Sequence, residues 1–153
     1  MSDLAPATPA LLAALAPRLR EADKTELWLS HQNTPEQALR HALKLSVWAY
    51  CLVGPEGPIA AFGLGGAPMS VICSPWALAA DPGPSRADWG RFSRPVITKM
   101  RRDVELLENW VHAGNIVSIR WLRSCGFTLD AAAPYGALGA PFHRFWMKGD
   151  LHV

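Results

Sequence analysis

The residues of this chain that could do chemistry lie mostly in its second half. His112 could take a proton from an amine, directly or through a water molecule. The plainer reading of a lone strand histidine is a hydrogen-bonded structural residue, and that is the commoner outcome. Between residues 86 and 102 stand six basic side chains, Arg86, Arg91, Arg94, Lys99, Arg101 and Arg102, against the single acid Asp88. Such a run could capture phosphate, or it could be the solvated face of an amphipathic helix, which the well-defined apolar stripe there favours. Cys51, Cys73 and Cys125 are far apart, without Cys-x-x-Cys or His-x-x-x-His spacing, so no zinc or other metal site is expected. Cys125 falls at a helix C-terminus, where the dipole raises a thiol's pKa, so it reads as core or near-core rather than a nucleophile. Cys73, beside Pro75 and Trp76, reads as buried too. His31, His41, His143 and His152 have no evident partners and read as surface or loop residues.

The most specific run is Asn115-Ile-Val-Ser-Ile-Arg-Trp-Leu-Arg-Ser-Cys-Gly126-Phe127. Asn115 can cap a helix and turn its amide toward a ligand. Gly126 can adopt the left-handed conformation that ends the helix, and Phe127 returns the chain to the core.

These residues need elements to position them. Leu11, Leu12, Leu15, Leu19 and Ala22 recur at helical spacing over 9–29, with Pro17 dividing or kinking the helix. Thr34-Pro35-Glu36-Gln37 is a helix start with a capping box, followed by an apolar stripe of Leu39, Leu43 and Val47. Residues 47–53 and 58–64 read as a hairpin around Gly54-Pro55-Glu56-Gly57. A strand follows at 71–78, in which Pro75 argues for an edge, a bulge or a break. After a loop at 81–85, Trp89, Phe92, Val96, Met100, Val104 and Leu107 mark one face of a long helix over 85–107, kinked at Pro95. A short strand at 109–113, a helix at 116–124 and strands at 127–132 and 143–147 complete the order. The last two are separated by a Gly/Pro-rich loop around Tyr135-Gly136 and Gly139-Ala140-Pro141. This is an α/β pattern, a mixed sheet between helices in a single domain over 1–153.

With the Asn115–Phe127 run in this setting, the chain resembles the GNAT (N-acetyltransferase-like) superfamily over most of its length. The resemblance implies a mixed, mostly antiparallel sheet flanked by helices. The run Leu107-Glu-Asn-Trp-Val-His-Ala-Gly-Asn115, following a basic helix, looks most like a bacteriophage GNAT-like family that includes podophage internal virion protein A. The resemblance implies an acyl-CoA-dependent N-acyltransferase in which acetyl-CoA and an amine acceptor meet in a ternary complex. A backbone N–H in the region 77–79, at Ala79, would hold the thioester oxygen. Arg86, Arg91 and Asn115 would position CoA, and His112 would be the base. The alternative is a non-catalytic GNAT-like virion or assembly protein, with phage structural proteins as partners.

Two departures favour the alternative. Superfamily members that bind acetyl-CoA carry a Gly-rich loop whose amides cradle the pyrophosphate at a helix N-terminus. Here the stretch Ala80-Asp-Pro-Gly-Pro-Ser-Arg-Ala-Asp-Trp-Gly90 has two prolines without N–H and two acids that repel phosphate. Arg86 and Arg91 could compensate by charge pairing. Seven residues after Asn115, where many members place a Tyr as general acid, this chain has Leu122.

Composition limits the remaining possibilities. Half the 153 residues are hydrophobic and 18% are charged, which excludes a mainly disordered chain. A net charge of +2 argues for neither nucleic acid nor a membrane surface, and nucleic-acid binding ranks last. Few, odd-numbered cysteines fit a reducing cytoplasm, with virion association if the phage reading holds. The segment from Ala10 to Ala16 is too short for a span and lacks the features of a signal peptide. Most of the seven Trp are expected in the core; any left exposed would mark an interface.

Overall fold

The computed structural model describes residues 2–151. An eight-stranded sheet is built from β1 (Asp3–Pro6), β2 (Ser46–Gly54), β3 (Gly57–Gly65), β4 (Ile72–Ala79), β5 (Leu106–His112), β6 (Thr128–Leu129), β7 (Ala133–Tyr135) and β8 (Ala140–Lys148). Its order is β1-β2-β3-β4-β5-β8-β6, with β7 also on β8. Every pairing is antiparallel except β4–β5. The expected mixed, mostly antiparallel sheet is present, and five α-helices flank it: α1 (Pro9–Leu15), α2 (Glu21–His31), α3 (Pro35–Leu45), α4 (Arg86–Arg101) and α5 (Ile116–Ser124).

The expected hairpin forms as β2–β3, with Gly54 opposite Gly57 and Gly57 at φ +118°. The expected helix start at Thr34 forms a full capping box with Gln37. The helix expected over 9–29 is divided at Pro17 into α1 and α2. A 3-10 turn at Ala16–Arg18 follows α1, and Leu19 is extended (ψ 147°), because Pro17 cannot donate to the preceding turn. The helix expected to reach 107 stops at Arg101. Asp103 takes φ +58° and donates its N–H to Asp150, and the chain turns directly into β5, which starts three residues before its expected position. Pro95 does not end α4. β1 and β7 carry no alternation that announces them.

The two faces of the sheet bury separate cores. Met100, Leu107, Leu122, Phe127 and Phe145 pack under α4 and α5. Leu12, Leu15, Leu39, Cys51 and Leu78 pack under α1 and α3. Leu15 is fully buried, so truncation to Ala costs about 2–5 kcal/mol. The tryptophans depart from expectation. Trp28 is 49% exposed and the other six are half-buried. Four of them, Trp76, Trp89, Trp110 and Trp121, line one cavity.

Candidate active site

The cavity exists because two parallel strands part. The β4–β5 ladder pairs only Ile72 with Leu106 and Cys73 with Leu107. Two residues on, Pro75 has no N–H to continue it. The Asn109 side chain replaces the lost rung: its Nδ2 donates to the Pro75 carbonyl at 2.9 Å and its Oδ1 accepts from Trp110 N–H at 2.9 Å. Pro75 thus sits at a local edge within an interior strand. Beyond it β4 and β5 diverge around a cavity of about 490 Å³ that extends to both faces of the sheet.

The polar floor of this cavity comes from α2. Arg20, Asp23 and Glu26 are spaced three apart, so they follow one another along one side of the helix. Asp23, 2% exposed, accepts four hydrogen bonds. Arg20 donates two, at 2.7 and 3.2 Å. Ala79 N–H donates at 3.0 Å and Asn115 Nδ2 at 3.3 Å. Arg20 also reaches Ser118 Oγ at 3.0 Å and Asn115 Oδ1 at 3.4 Å. A buried ion pair persists only when its remaining lone pairs and protons are satisfied, and this network satisfies them.

Glu26 differs. Its Oε1 accepts from His112 N–H at 2.7 Å and Asn115 Nδ2 at 3.3 Å, while Oε2 has no partner among the described residues. Burial pushes its carboxyl up to about 7; the His112 N–H opposes this and the Asp23 charge adds to it. A carboxyl balanced between its two forms near neutral pH can take up and release a proton.

The expected site residues have the following places. His112 reaches the site through its backbone; its ring packs on Phe142, with centroids 5.3 Å apart, and does not line the cavity. Asn115 stands at the start of α5 but makes no side-chain cap. It is 1% exposed, and its amide holds Asp23 and Glu26 rather than facing outward. Ala79 N–H is engaged by Asp23. Along β4 the next amide on the same edge is that of Ala77, which has no ladder partner among the described residues, and Ala77 is exposed. Arg86 and Arg91 are exposed on the first turns of α4 without an ion pair among the described residues, and Arg91 lies over the Phe92 ring. Leu122 is buried in the core.

A thioester arm fits the cavity: Ala77 N–H has no partner among the described residues, and Phe92, Ser93, Val96, Val117 and Ser118 form its wall between α4 and α5. The backbone cradle for a pyrophosphate is reduced to the Arg86 and Ala87 amides, which have no partner among the described residues, with the Asp88 carboxylate beside them. The Ser85 and Asp88 amides are taken by their own capping box, and the Ser2 hydroxyl also donates to Asp88. The loop folds so tightly that a Cβ on Gly83 would lie 2.5 Å from the Ala80 carbonyl oxygen. Trp121 bridges the helices, donating to Ser93 Oγ at 2.9 Å and meeting Trp89 at 5.3 Å. Among the described residues no cluster of metal-ligating side chains occurs.

The other candidates follow their plainer readings. Cys73 is buried and Cys125 half-buried, and burial raises both thiols. His143 bonds the Asp130 carbonyl from β8, so it has a partner that its sequence context did not show. His31 and His41 are exposed, and His152 lies outside the described residues. Sequence reasoning missed Arg20, Asp23, Glu26 and Asn109, and within the expected region 77–79 it chose Ala79 rather than Ala77. The three-residue spacing of Arg20, Asp23 and Glu26 was the available signal, but it reads equally as a solvated helix face.

No protein-family model matches this chain, and no curated protein matches it by sequence. Solved structures do. A ribosomal-protein-alanine N-acetyltransferase from Brucella melitensis aligns over 95% of this chain and 99% of its own, with a TM-score of 0.71 at 18% identity. An aminoglycoside acetyltransferase in complex with coenzyme A and kanamycin aligns over 97% and 95%, with a TM-score of 0.67 at 16% identity. A Bacillus subtilis acetyltransferase in complex with CoA aligns over 96% and 97%, with a TM-score of 0.64 at 12% identity. The chain has the GNAT fold.

Proposed function

We propose that this chain is an N-acyltransferase that moves an acyl group, acetyl in the simplest case, from CoA to an amine. The observation that carries the reading is Glu26: a carboxyl poised near neutral pH, with one oxygen free, in the crevice where β4 and β5 separate. Glu26 takes the proton of the acceptor ammonium. The amine lone pair then attacks the thioester carbonyl, the C–N bond forms and the C–S bond breaks. The thiolate leaves with the extra proton that the attacking nitrogen sheds as it becomes the amide, giving CoA-SH, so no acid is needed at Leu122. Ala77 N–H receives the carbonyl oxygen as its charge grows. Asn115, Asp23 and Arg20 hold Glu26 and the α5 start in place. Arg86 and Arg91 meet the CoA phosphates by side-chain charge.

A calorimetric titration with acetyl-CoA and with CoA tests this, run beside an Arg86→Ala/Arg91→Ala double variant. Micromolar binding that the variant loses is expected. No heat and no thermal shift at millimolar ligand would sink the assignment.

A second reading is a non-catalytic GNAT-like protein of phage origin, packaged in or assembled with a virion. The depleted phosphate cradle and the Trp89–Trp121 bridge support it. Failure of the titration, together with stable co-assembly with phage structural proteins, would favour it.

A further inference from the structure

Resting on the acyltransferase reading, we infer that the acceptor is a small monoamine with a flat apolar body, held by Glu26 and an aromatic wall of Trp76, Trp110 and Tyr135. Three observations carry this. The first is the charge on the α2 side of the cavity. Asp23 is saturated by Arg20, Asn115 and Ala79, so Glu26 Oε2 is the single free carboxylate oxygen on that side among the described residues. One ammonium finds a counter-charge there; a second or third would be desolvated unpaired, which is costly. A polycation such as an aminoglycoside does not suit this wall.

The second is the wall itself. Trp110 and Tyr135 stack at 4.7 Å and 11°, Trp76 is anchored by its Nε1–H to Ser46 Oγ at 2.8 Å, and all three line the cavity beside Leu27. Fixed aromatic faces favour a flat apolar group over a hydroxylated one. The third is closure. The loop carrying Tyr135 is latched onto the end of α2 by Ala137 N–H to the Ser30 carbonyl at 2.9 Å. Gly136, at φ +78°, passes so close that a Cβ would lie 2.5 Å from the Ser30 carbonyl oxygen. A closed end, with about 490 Å³ shared between both substrates, suits a small molecule better than a peptide chain.

The test uses phenethylamine, spermidine, kanamycin and an alanine-first hexapeptide. Each is titrated calorimetrically without donor, then assayed for acetylation from acetyl-CoA by mass spectrometry. Saturable phenethylamine binding is expected, with kcat/KM at least tenfold above the others. Tyr135→Ala should raise its KM at least fivefold with little change in kcat, and Tyr135→Phe should restore it. Phenethylamine binding that Glu26→Gln weakens, without turnover, supports the acceptor site and places the failure in the acyl-transfer reading. Preferential turnover of spermidine, kanamycin or the peptide overturns the inference while upholding the acyltransferase. Absence of phenethylamine binding in the folded wild-type protein overturns it outright.

Discussion

The two flanks of the crevice are built to different standards. On the α2 flank, Arg20, Asp23, Asn115 and Ser118 interlock, and Glu26 keeps one oxygen free. On the α4 flank, the loop that would hold phosphate has two prolines, a carboxylate that accepts the Ser85 N–H and arginines reaching into solvent. The difference separates two demands. Proton transfer needs one group at one place, and burial can tune it. Anion binding by backbone needs several free N–H groups at once, and each proline or cap removes one. The α2 flank holds its acid in a built network, whereas the α4 flank offers flexible arginines and few open amides.

Breaking the better-built flank gives the largest effects. Glu26→Gln keeps the volume and the acceptor for His112 N–H but removes the base, so kcat should fall about 10²–10⁴-fold. In the wild type, kcat/KM should rise with pH through about 7 as the carboxylate forms, and that limb should vanish in the variant. Stability runs the opposite way. Folding raises this carboxyl from 4.5 to about 7, so the folded chain binds the proton more readily than the unfolded chain. The group's contribution is full below about pH 4.5 and is lost as the pH climbs through 7. At pH 8 Glu26→Gln should therefore be the more stable protein, by about 1–3 kcal/mol in urea melts.

Asp23→Ala leaves the half-buried Arg20 without its counter-ion and Ala79 N–H without an acceptor. A loss of about 1–3 kcal/mol is expected in the same melts. A variant that unfolds no more easily than wild type would refute the network's structural role. Asn109→Ala removes the bridge over the parted strands and should cost about 1–2 kcal/mol. Hydrogen exchange should speed up in β4 and β5 while β2–β3 is unchanged. The smallest effect sharpens the contrast from the weaker flank. Asp88→Asn keeps a capping oxygen but removes the negative charge at the start of α4, so CoA should bind about two- to fivefold tighter by calorimetry, a gain of about 0.4–1 kcal/mol.

Local signals were legible where neighbours in sequence are neighbours in space. The Thr34 box, the β2–β3 hairpin and the helix closed by Gly126, at φ +99°, all follow from short-range turn and capping chemistry. The helix stripe that overran to Leu107 failed for the complementary reason. Val104 and Leu107 are buried in the core under α4, so their apolar spacing continues the helical pattern although the chain there is a turn and a strand. Asn115 and His112 were found for their places in a motif, yet their side chains serve other groups. Asn115 clamps two carboxyls, and His112 contributes its N–H.

By itself, the sequence determined the element order apart from β1 and β7, the mixed sheet and Pro75 as an edge, a bulge or a break, because periodicity and a missing N–H are properties of the chain alone. Tertiary structure decided which acid matters. Asp23 and Glu26 are one helical turn apart and chemically alike. One meets Arg20, Asn115 and Ala79 and is saturated; the other is half-buried with one oxygen free. Desolvation and hydrogen-bond partners supplied by β4, β5 and α5, some 50 to 90 residues away, make that distinction, and no local pattern encodes it.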